Sequence, residues 1–432
     1  MSIRNRPLSI RNRPLSIRNR PLSIRNRPLS VNNRSLSVVE GSEVGNVIKN
    51  QHPWIFRNNF NNAPNLPKLK NGNWVYFLDE TGKHLGIGIY SHIGLIAVRM
   101  IYFGDNFSLG FFKNLIKKKL SSRLPLLRET NSLRLIHGEN DSIPGITIDF
   151  HNDVLVFSIY SKSLYPMARY IGFVVYNFLT LHWNLDVSCI LLKKPNRTED
   201  QFLENSDYRV IRGKIHTQVE INFKKITYTI NTLSQKGGIY NDIRNLRRYI
   251  LENSEVFKNR NVLNLFSNNG LLSKCLEVAG AKSIVSVEDS VSALNIHKLN
   301  TPNSEKQKII KGNIFKNIEA LLEEINQVFD VVIIDPPSLT SSSKDKRKAK
   351  LIYQKLMESC LNVMSNPGIL VMCSCSNRIH SNQFENIAQE VFKFKKVEYK
   401  KPIKLLNEID HPVIDTFPEG DYFKVHIYTT GQ

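Results

Sequence analysis

A regular alternation of strand-like and helix-like segments between residues 226 and 432 constrains the fold of this chain most. Five apolar, β-branched runs, such as FDVVIID, are separated by segments with helical periodicity. Strands of this kind form a parallel sheet that helices cover on both faces. We therefore predict an α/β unit whose ligands bind beyond the carboxyl ends of its strands. The predicted strands are 261–267, 282–289, 307–313, 329–335 and 368–376.

Polar residues follow the first three of these strands. The first ends in NLFSNNG, and Gly270 there would let a ligand approach the backbone closely. Glu288 ends the second strand and can accept both hydroxyls of a ribose, while Asn313 ends the third and can hydrogen-bond an adenine edge. Each residue alone is equally consistent with a turn or a surface position. Their order at successive strand ends, without a G-x-G-x-x-G fingerprint, favours an adenosine ligand that lacks phosphates.

The fourth and fifth strands end in residues suited to chemistry. Asp335 precedes Pro336 and Pro337, which fix the backbone into a stiff rim that can hold a planar base edge. A turn with a helix-capping acid is the alternative, and the segment 338–348 disfavours it because it does not look helical. The fifth strand ends in CSCS, where Cys375 is either a reactive thiol or a small core residue. The pattern alone favours the core.

The N-terminal half is divided differently. SIRNRPL occurs four times without change and once in a decayed form up to residue 36. Proline in each copy prevents a continuous helix, so we predict a disordered basic tail over 1–37 rather than an amphipathic transit peptide. Residues 38–107 are predicted to be β-rich and 108–225 to mix strands with helices, with a loop-rich segment at 195–220.

Charge and cysteine content narrow the partners and the compartment. The net charge is +21, and +12 remains without the nine arginines of the tail, which favours a polyanion such as RNA. The five cysteines form no C-x-x-C pair, which indicates neither a disulfide framework nor a zinc site. No apolar run predicts a membrane span or a signal peptide, so we expect no membrane partner and a cytoplasmic location, with an organelle as the weaker alternative.

Taken together, these motifs resemble those of the bacterial 23S ribosomal RNA (cytosine-5) methyltransferases that carry an N-terminal PUA domain. HPWIF (52–56) is similar to the start of that PUA domain, and GENDSIPGITIDF (138–150) to the hairpin of its central domain. SQKGGIYNDIRNLR (234–247), NLFSNNG, DPPS and SCS resemble its methyltransferase segments. HPVIDTFPEGDYFK (411–424) is close to its C-terminal signature.

The resemblance implies S-adenosylmethionine as cofactor and a base of 23S ribosomal RNA as substrate. It implies a class I, Rossmann-like methyltransferase domain at 226–432, after a PUA-like domain at 38–107 and a central α+β domain at 108–225, and it allows a homodimer. Cys375 would form a covalent adduct with a cytosine, and Asp335 would hold the base and stabilise the adduct. The residues implied to line the cofactor pocket are Tyr240, Asp242, Arg244, Asn264, Phe266, Ser267, Gly270, Glu288, Asn313 and Asp335.

The chain departs from this family at several positions. Asn264 and Asn313 stand where the family usually has aspartate, and Asn268–Leu271 replaces Tyr-Thr-Gly-Gly. These losses of charge and of a glycine would weaken cofactor binding. A noncatalytic RNA-binding or ribosome-assembly protein therefore stays open, as does methylation at another base position. An exocyclic amine is disfavoured because Ser338 and Leu339 follow the prolines where an aromatic residue is usual.

Overall fold

The computed structural model describes residues 34–60, 66–193, 208–233, 238–302, 304–340 and 345–431. The four identical repeats of the predicted tail lie outside these residues. So does the whole segment 195–207. Among the described residues, no helix has the length and apolar character needed to cross a membrane.

The first described unit is a five-stranded sheet with the order β1-β3-β4-β5-β2. Its elements are β1 (Arg34–Ser37), α1 (Glu43–Lys49), β2 (Trp54–Phe56), β3 (Trp74–Leu78), β4 (His84–Tyr90) and β5 (Ile96–Phe103). The strands β2 to β5 make this unit β-rich, as the sequence predicts for residues 38–107. The tail prediction is wrong for residues 34–37, because β1 pairs in parallel with β3 and buries Leu36 in the core of this sheet.

The central unit is a second five-stranded sheet, ordered β10-β9-β8-β7-β6. Its elements are α2 (Leu109–Arg123), β6 (Ser132–His137), β7 (Ile146–His151), β8 (Val154–Ile159), α3 (Tyr165–His182), β9 (Cys189–Lys193) and β10 (Tyr208–Arg212). An antiparallel hairpin of β11 (Gln218–Phe223) and β12 (Ile226–Asn231) follows. The expectation of loops over 195–220 is therefore wrong at β10 and β11. The predicted boundary after residue 225 falls in the hairpin turn.

The C-terminal unit is a seven-stranded sheet ordered β15-β14-β13-β16-β17-β19-β18. After α4 (Arg244–Glu252) and α5 (Ser254–Phe257), strands and helices alternate as predicted. They are β13 (Asn261–Leu265), α6 (Leu271–Val278), β14 (Ser283–Glu288), α7 (Val291–Asn300), β15 (Gln307–Lys311), α8 (Ile318–Ile325), β16 (Phe329–Ile334), α9 (Lys346–Leu361) and β17 (Met364–Cys375). The remaining elements are α10 (Ser381–Lys395), β18 (Ile403–Lys404) and β19 (Phe423–Thr429).

The first five strands of this sheet are parallel, and β19 joins β17 in the antiparallel sense. Successive side chains point to opposite faces, so Val331 enters one apolar core and Val332 the other. Helices cover both cores. The first core also includes Val156 and Leu191 from the central sheet and Tyr228 from the hairpin. The arrangement is a Rossmann-like α/β fold, as predicted, in which the central unit shares a core with the C-terminal sheet.

Candidate active site

The strand order reverses between β13 and β16, which lie side by side in the middle of the C-terminal sheet. The chain runs from β13 outward to β14 and β15, and from β16 outward to β17. Such a reversal opens a crevice at the carboxyl ends of the two central strands. The loops after β13, β14, β16 and β17 therefore surround one cleft.

The turn after β13 has an unusual backbone path. Phe266, Asn268 and Gly270 all have positive φ angles, of 61°, 47° and 77°. A side chain at Gly270 would meet the ring of His297 at 2.1 Å, so both the backbone angle and the space require glycine. The ring of Phe266 packs against that of Phe315. The turn thereby brings its backbone to the edge of the cleft without side-chain obstruction at Gly270.

Glu288 and Asn313 lie on the adjacent strand ends. The two carboxylate oxygens of Glu288 accept hydrogen bonds from the backbone N–H groups of Asn268, at 3.0 Å, and Ser290, at 2.8 Å. These bonds fix the carboxylate at the rim and leave further lone pairs for a ligand. The exposed Asn313 donates from Nδ2 to Asp289 at 3.1 Å. A fixed carboxylate and an exposed amide thus lie at adjacent strand ends.

Two buried polar groups below the turn lack partners among the described residues. The Oγ of Ser267 and the Oδ1 of Asn264 are both buried and accept no hydrogen bond there. Asn264 is fully buried in β13 and donates to Ser273 Oγ at 2.8 Å, so its side chain lies beneath the cleft. Leaving a buried polar atom unpaired costs about 1–3 kcal/mol. Ser267, in the turn itself, is therefore well suited to a polar ligand group.

Asp335 and Cys375 follow the neighbouring strands β16 and β17, and we call Asp242, Asp335 and Cys375 the strand-end site. Burial raises the pKa of Asp335 to about 7, and the nearby Asp242 carboxylate adds to the shift. Burial also raises the pKa of the Cys375 thiol well above its usual value, and the charges of Asp335 and Asp242 act in the same direction. The three groups therefore lie within electrostatic reach of one another. These effects outweigh the charge of Lys424, which lowers the pKa of Cys375, so the thiol keeps its proton.

Tyr240 and Asp242 border this site. Burial raises the pKa of Tyr240, and the negative charges of Asp242, Cys375, Asp335 and Glu288 add to the effect, so the Tyr240 hydroxyl faces all of them. The Asp242 carboxylate accepts a hydrogen bond from the Tyr422 hydroxyl at 2.8 Å. Tyr240 is still 43% exposed.

Arg244 does not line the cleft, contrary to the expectation from sequence. Its side chain is 1% exposed and lies between the central sheet and the C-terminal loop. It donates to Asp410 through both Nη atoms at 3.0 Å, to Glu408 at 3.2 Å and to the backbone oxygen of Ser132 at 2.9 Å. We call Arg244, Glu408 and Asp410 the buried ion-pair cluster. Its role is to join α4, the C-terminal loop and β6.

Sequence reasoning missed two residues of this region, Tyr422 and Lys424. Lys424 is 5% exposed, and its ammonium donates to the backbone oxygens of Ser376, at 2.9 Å, and Asp421, at 2.7 Å. Its charge is the one that lowers the pKa of Cys375. Both residues belong to the segment DYFK, whose placement beside Cys375 depends on the β17–β19 pairing. A buried lysine in an otherwise apolar strand is the signal that could have identified it.

The sequence matches two known protein families that are consistent with this geometry. A model of PUA-like domains matches residues 43–103, and a model of S-adenosylmethionine-dependent methyltransferases matches residues 206–415. The protein is therefore an S-adenosylmethionine-dependent methyltransferase with an N-terminal PUA-like domain, as the motifs predict. The turn after β13, the fixed carboxylate of Glu288 and the unpaired Ser267 hydroxyl fit such a cofactor.

Individual relatives are similar over most of the chain. Proteins named ribosomal RNA large subunit methyltransferase I from Alteromonas mediterranea and Shewanella frigidimarina are each 27% identical, over 390 and 397 residues. The alignments cover 87% of this chain and 94% and 95% of the relatives.

Two solved structures share the fold. A methyltransferase crystallised as a complex with SAH has a TM-score of 0.73 at 20% identity. A protein described as a SAM-dependent methyltransferase from Streptococcus mutans has a TM-score of 0.71 at 22% identity. Both comparisons cover 92% of this chain and 100% of the other.

Proposed function

We propose that the protein methylates C5 of a cytosine in large-subunit ribosomal RNA through a covalent adduct on Cys375. The observation that carries this proposal is the pairing of a thiol and a carboxyl group of raised pKa at adjoining strand ends, opposite the turn suited to an adenosine. The relatives are named as ribosomal RNA large subunit methyltransferases, and the alignments cover almost their whole length. Their names therefore support the RNA substrate.

C5 of cytosine is too weakly nucleophilic to accept a methyl group unaided. In the proposed reaction, the Cys375 thiolate bonds to C6 and the displaced electron pair makes C5 a nucleophile. Bound S-adenosylmethionine would supply an electrophilic methyl group, which C5 takes up while the cofactor's sulfur keeps the electron pair of the broken sulfur–carbon bond and leaves as a neutral thioether. Loss of the C5 proton to a base then restores the double bond as the C6–sulfur bond breaks and the thiolate leaves. The target base must be unpaired or extruded to enter the cleft.

The Asp335 carboxyl suits these steps, whereas the Cys375 thiol has a raised pKa and must lose its proton to a base before it adds to C6. Because its pKa is about 7, the Asp335 carboxyl is partly protonated near neutral pH and can donate a hydrogen bond to N3 of the base. That bond would stabilise the charge that develops on the ring when the thiolate adds. The Lys424 ammonium favours the ionised thiol, as would a sulfonium close by.

The cofactor would lie across the ends of β13, β14 and β15. We propose that Glu288 accepts the ribose hydroxyls, Asn313 contacts the adenine edge and Ser267 Oγ bonds the ligand. Phe266 would pack against it, with Gly270 giving the close approach, and Tyr240 and Asp242 would cover it. Asn264 would act from below, by supporting the turn through Ser273.

The remaining RNA would contact the PUA-like domain and the central unit. Such binding is expected to weaken steeply with salt, because each phosphate contact releases counterions. Action on ribosomal RNA would place the protein with ribosomes in the cytoplasm. The relatives give no indication of whether it acts as a homodimer, which we keep as a proposal to be tested by sedimentation.

The direct test uses ribosomal RNA from a strain that lacks the gene. The RNA is incubated with the purified protein and S-adenosylmethionine, and the product is mapped by mass spectrometry. We expect one cytosine to gain a methyl group on C5. RNA that carries 5-fluorocytosine at that position should form a stable protein–RNA adduct, because fluorine cannot leave as a proton does. A methyl group on another base atom would support the rival methyltransferase.

Calorimetry distinguishes the proposed enzyme from a noncatalytic RNA-binding or ribosome-assembly protein. Binding of S-adenosylmethionine is expected for the enzyme. An RNA-binding or assembly protein that merely keeps the fold would show RNA binding without affinity for this cofactor.

A further inference from the structure

A polar cavity of about 540 Å³ lies between the central sheet, the hairpin strand β12 and the C-terminal segment 417–422. This volume falls in the range of about 300–1,000 Å³ that is common for ligand pockets. Tyr240 and Tyr422 line the cavity and also border the strand-end site. The cavity is therefore the immediate neighbour of the cleft in which methyl transfer is proposed.

The charged side chains that line this cavity are already paired or balanced. Arg134 donates to the Asp149 carboxylate at 2.8 and 3.1 Å. Glu139 accepts from Trp54 Nε1 at 2.7 Å, and Glu419 lies 3.3 Å from the His52 ring nitrogen. Lys193 is the other cationic side chain among the described residues of the lining, so three carboxylates face two cations there. These residues offer a phosphate no surplus of positive charge.

The histidines of the lining act as neutral hydrogen-bonding groups. Burial lowers the pKa of His151 to about 4, and burial together with His411 and Arg134 lowers the pKa of His137 well below its usual value. Both rings are therefore uncharged at neutral pH. His151 Nδ1 hydrogen-bonds Ser132 Oγ at 2.8 Å, and His137 Nδ1 lies 3.2 Å from Arg134 Nη1. Fixed neutral imidazoles and a fixed guanidinium suit the polar edge of a nucleobase.

Aromatic side chains complete the lining. Tyr160, Tyr240 and Tyr422 come from three separate parts of the chain. Aromatic faces of this kind stack on unpaired bases, whatever their identity. We propose that the cavity holds one unpaired nucleoside of the substrate RNA, next in sequence to the nucleotide that is methylated, while its phosphates stay outside. This inference rests on the proposed function, since it takes the bound molecule to be the RNA substrate.

The test combines a filled cavity with RNA that lacks one base. Ser158 and Thr147 are paired across β7 and β8 and both line the cavity. Ser158→Trp should fill it, and we expect the Kd for a short substrate RNA to rise at least about tenfold. The same rise is expected when wild-type protein meets RNA with an abasic site at one of the two flanking positions. Because both changes remove one contact, they should not add when combined.

Two further variants serve as an independent test and as a control. Tyr160→Ala removes a stacking surface without filling the space, so it should weaken RNA binding even if Ser158→Trp fails to fold. Glu220→Trp adds the same bulk at an exposed position of β11 and should leave the RNA affinity unchanged. Calorimetric affinity for S-adenosylmethionine should be the same in all three variants.

The outcomes separate this inference from the proposed function. If wild-type protein methylates no RNA, the proposed function fails. If it does, but Ser158→Trp and Tyr160→Ala bind substrate RNA like wild type, the inference alone is overturned. The inference is also overturned by another result with Ser158→Trp. In that result the variant loses turnover, binds substrate RNA like wild type and still binds RNA with an abasic flanking site more weakly. The cavity would then receive the target base itself.

Discussion

Two carboxyl groups in this protein, the buried Asp410 and the half-buried Asp335, have opposite electrostatic surroundings. Burial alone would raise the pKa of Asp410, but the Arg244 guanidinium and His411 lower it well below its usual value. For Asp335, no cation among the described residues offsets burial and the Asp242 charge, and its pKa is raised to about 7. The buried ion-pair cluster therefore stabilises the fold, whereas the strand-end site holds a carboxyl group at a cost to the fold. A carboxyl group held in this way is a sign of function.

The largest effect should follow removal of the Cys375 thiol. Cys375→Ala deletes the proposed nucleophile, so we expect methylation of RNA to fall by at least about a thousandfold. Affinity for S-adenosylmethionine should stay close to that of wild type, as measured by calorimetry. Cys373→Ala, two residues earlier and fully buried, is the matched control and should affect stability rather than the adduct. Wild-type turnover in Cys375→Ala would show that the thiol is not the nucleophile.

The next largest effect concerns the buried ion-pair cluster. Asp410→Asn keeps the shape of the side chain but leaves Arg244 without one of its two carboxylates. We expect the free energy of unfolding to fall by about 3 kcal/mol at pH 7, measured by urea denaturation. Because the pKa of Asp410 is lowered in the folded state, this contribution is present above its unfolded pKa of 3.8 and is lost as the pH falls further. An unchanged unfolding midpoint would contradict the role given to the cluster.

The same substitution at Asp335 should have the opposite sign. The folded pKa of about 7 exceeds the unfolded value of 3.8, so the stability that Asp335 contributes is present below 3.8 and is lost as the pH rises to about 7. Asp335→Asn should therefore change little at pH 4 and stabilise the protein by about 1–2 kcal/mol at pH 8, after allowance for solvent screening. Urea denaturation at both pH values measures the difference. Destabilisation at pH 8 would contradict the assignment.

Ligand binding sharpens this comparison. S-adenosylmethionine carries a positive sulfonium, whereas the product S-adenosylhomocysteine is neutral. If the sulfonium lies near Asp335, its affinity should rise several-fold between pH 6 and pH 8 as that carboxyl ionises, and the affinity of the product should not. Calorimetry on wild type and Asp335→Asn would show the pH dependence in the first protein only.

The residues at the strand ends could be predicted because each is identified by the few residues directly before it in the sequence. Glu288, Asp335 and Cys375 each follow an apolar run directly, and parallel packing brings such ends together. The sequence could not place Arg244, whose partners Glu408 and Asp410 lie far along the chain. The cavity beside Tyr240 and Tyr422 was equally hidden, because its walls come from the central sheet, the hairpin strand β12 and the C-terminal segment 417–422. The strand β11 was missed because QVEINF is an alternating strand within a stretch that is polar as a whole.

The smallest effect should come from the outer edge of the ion-pair cluster. Arg248 pairs with Glu408 at 2.5 Å and with Glu129 at 2.9 Å, but a quarter of its side chain is exposed to solvent. Arg248→Ala leaves Glu408 paired with Arg244, and water can replace the lost guanidinium. We therefore expect a loss of about 1 kcal/mol or less in the free energy of unfolding. A loss as large as that of Asp410→Asn would mean that the number of ion pairs, and not their burial, determines what the cluster contributes.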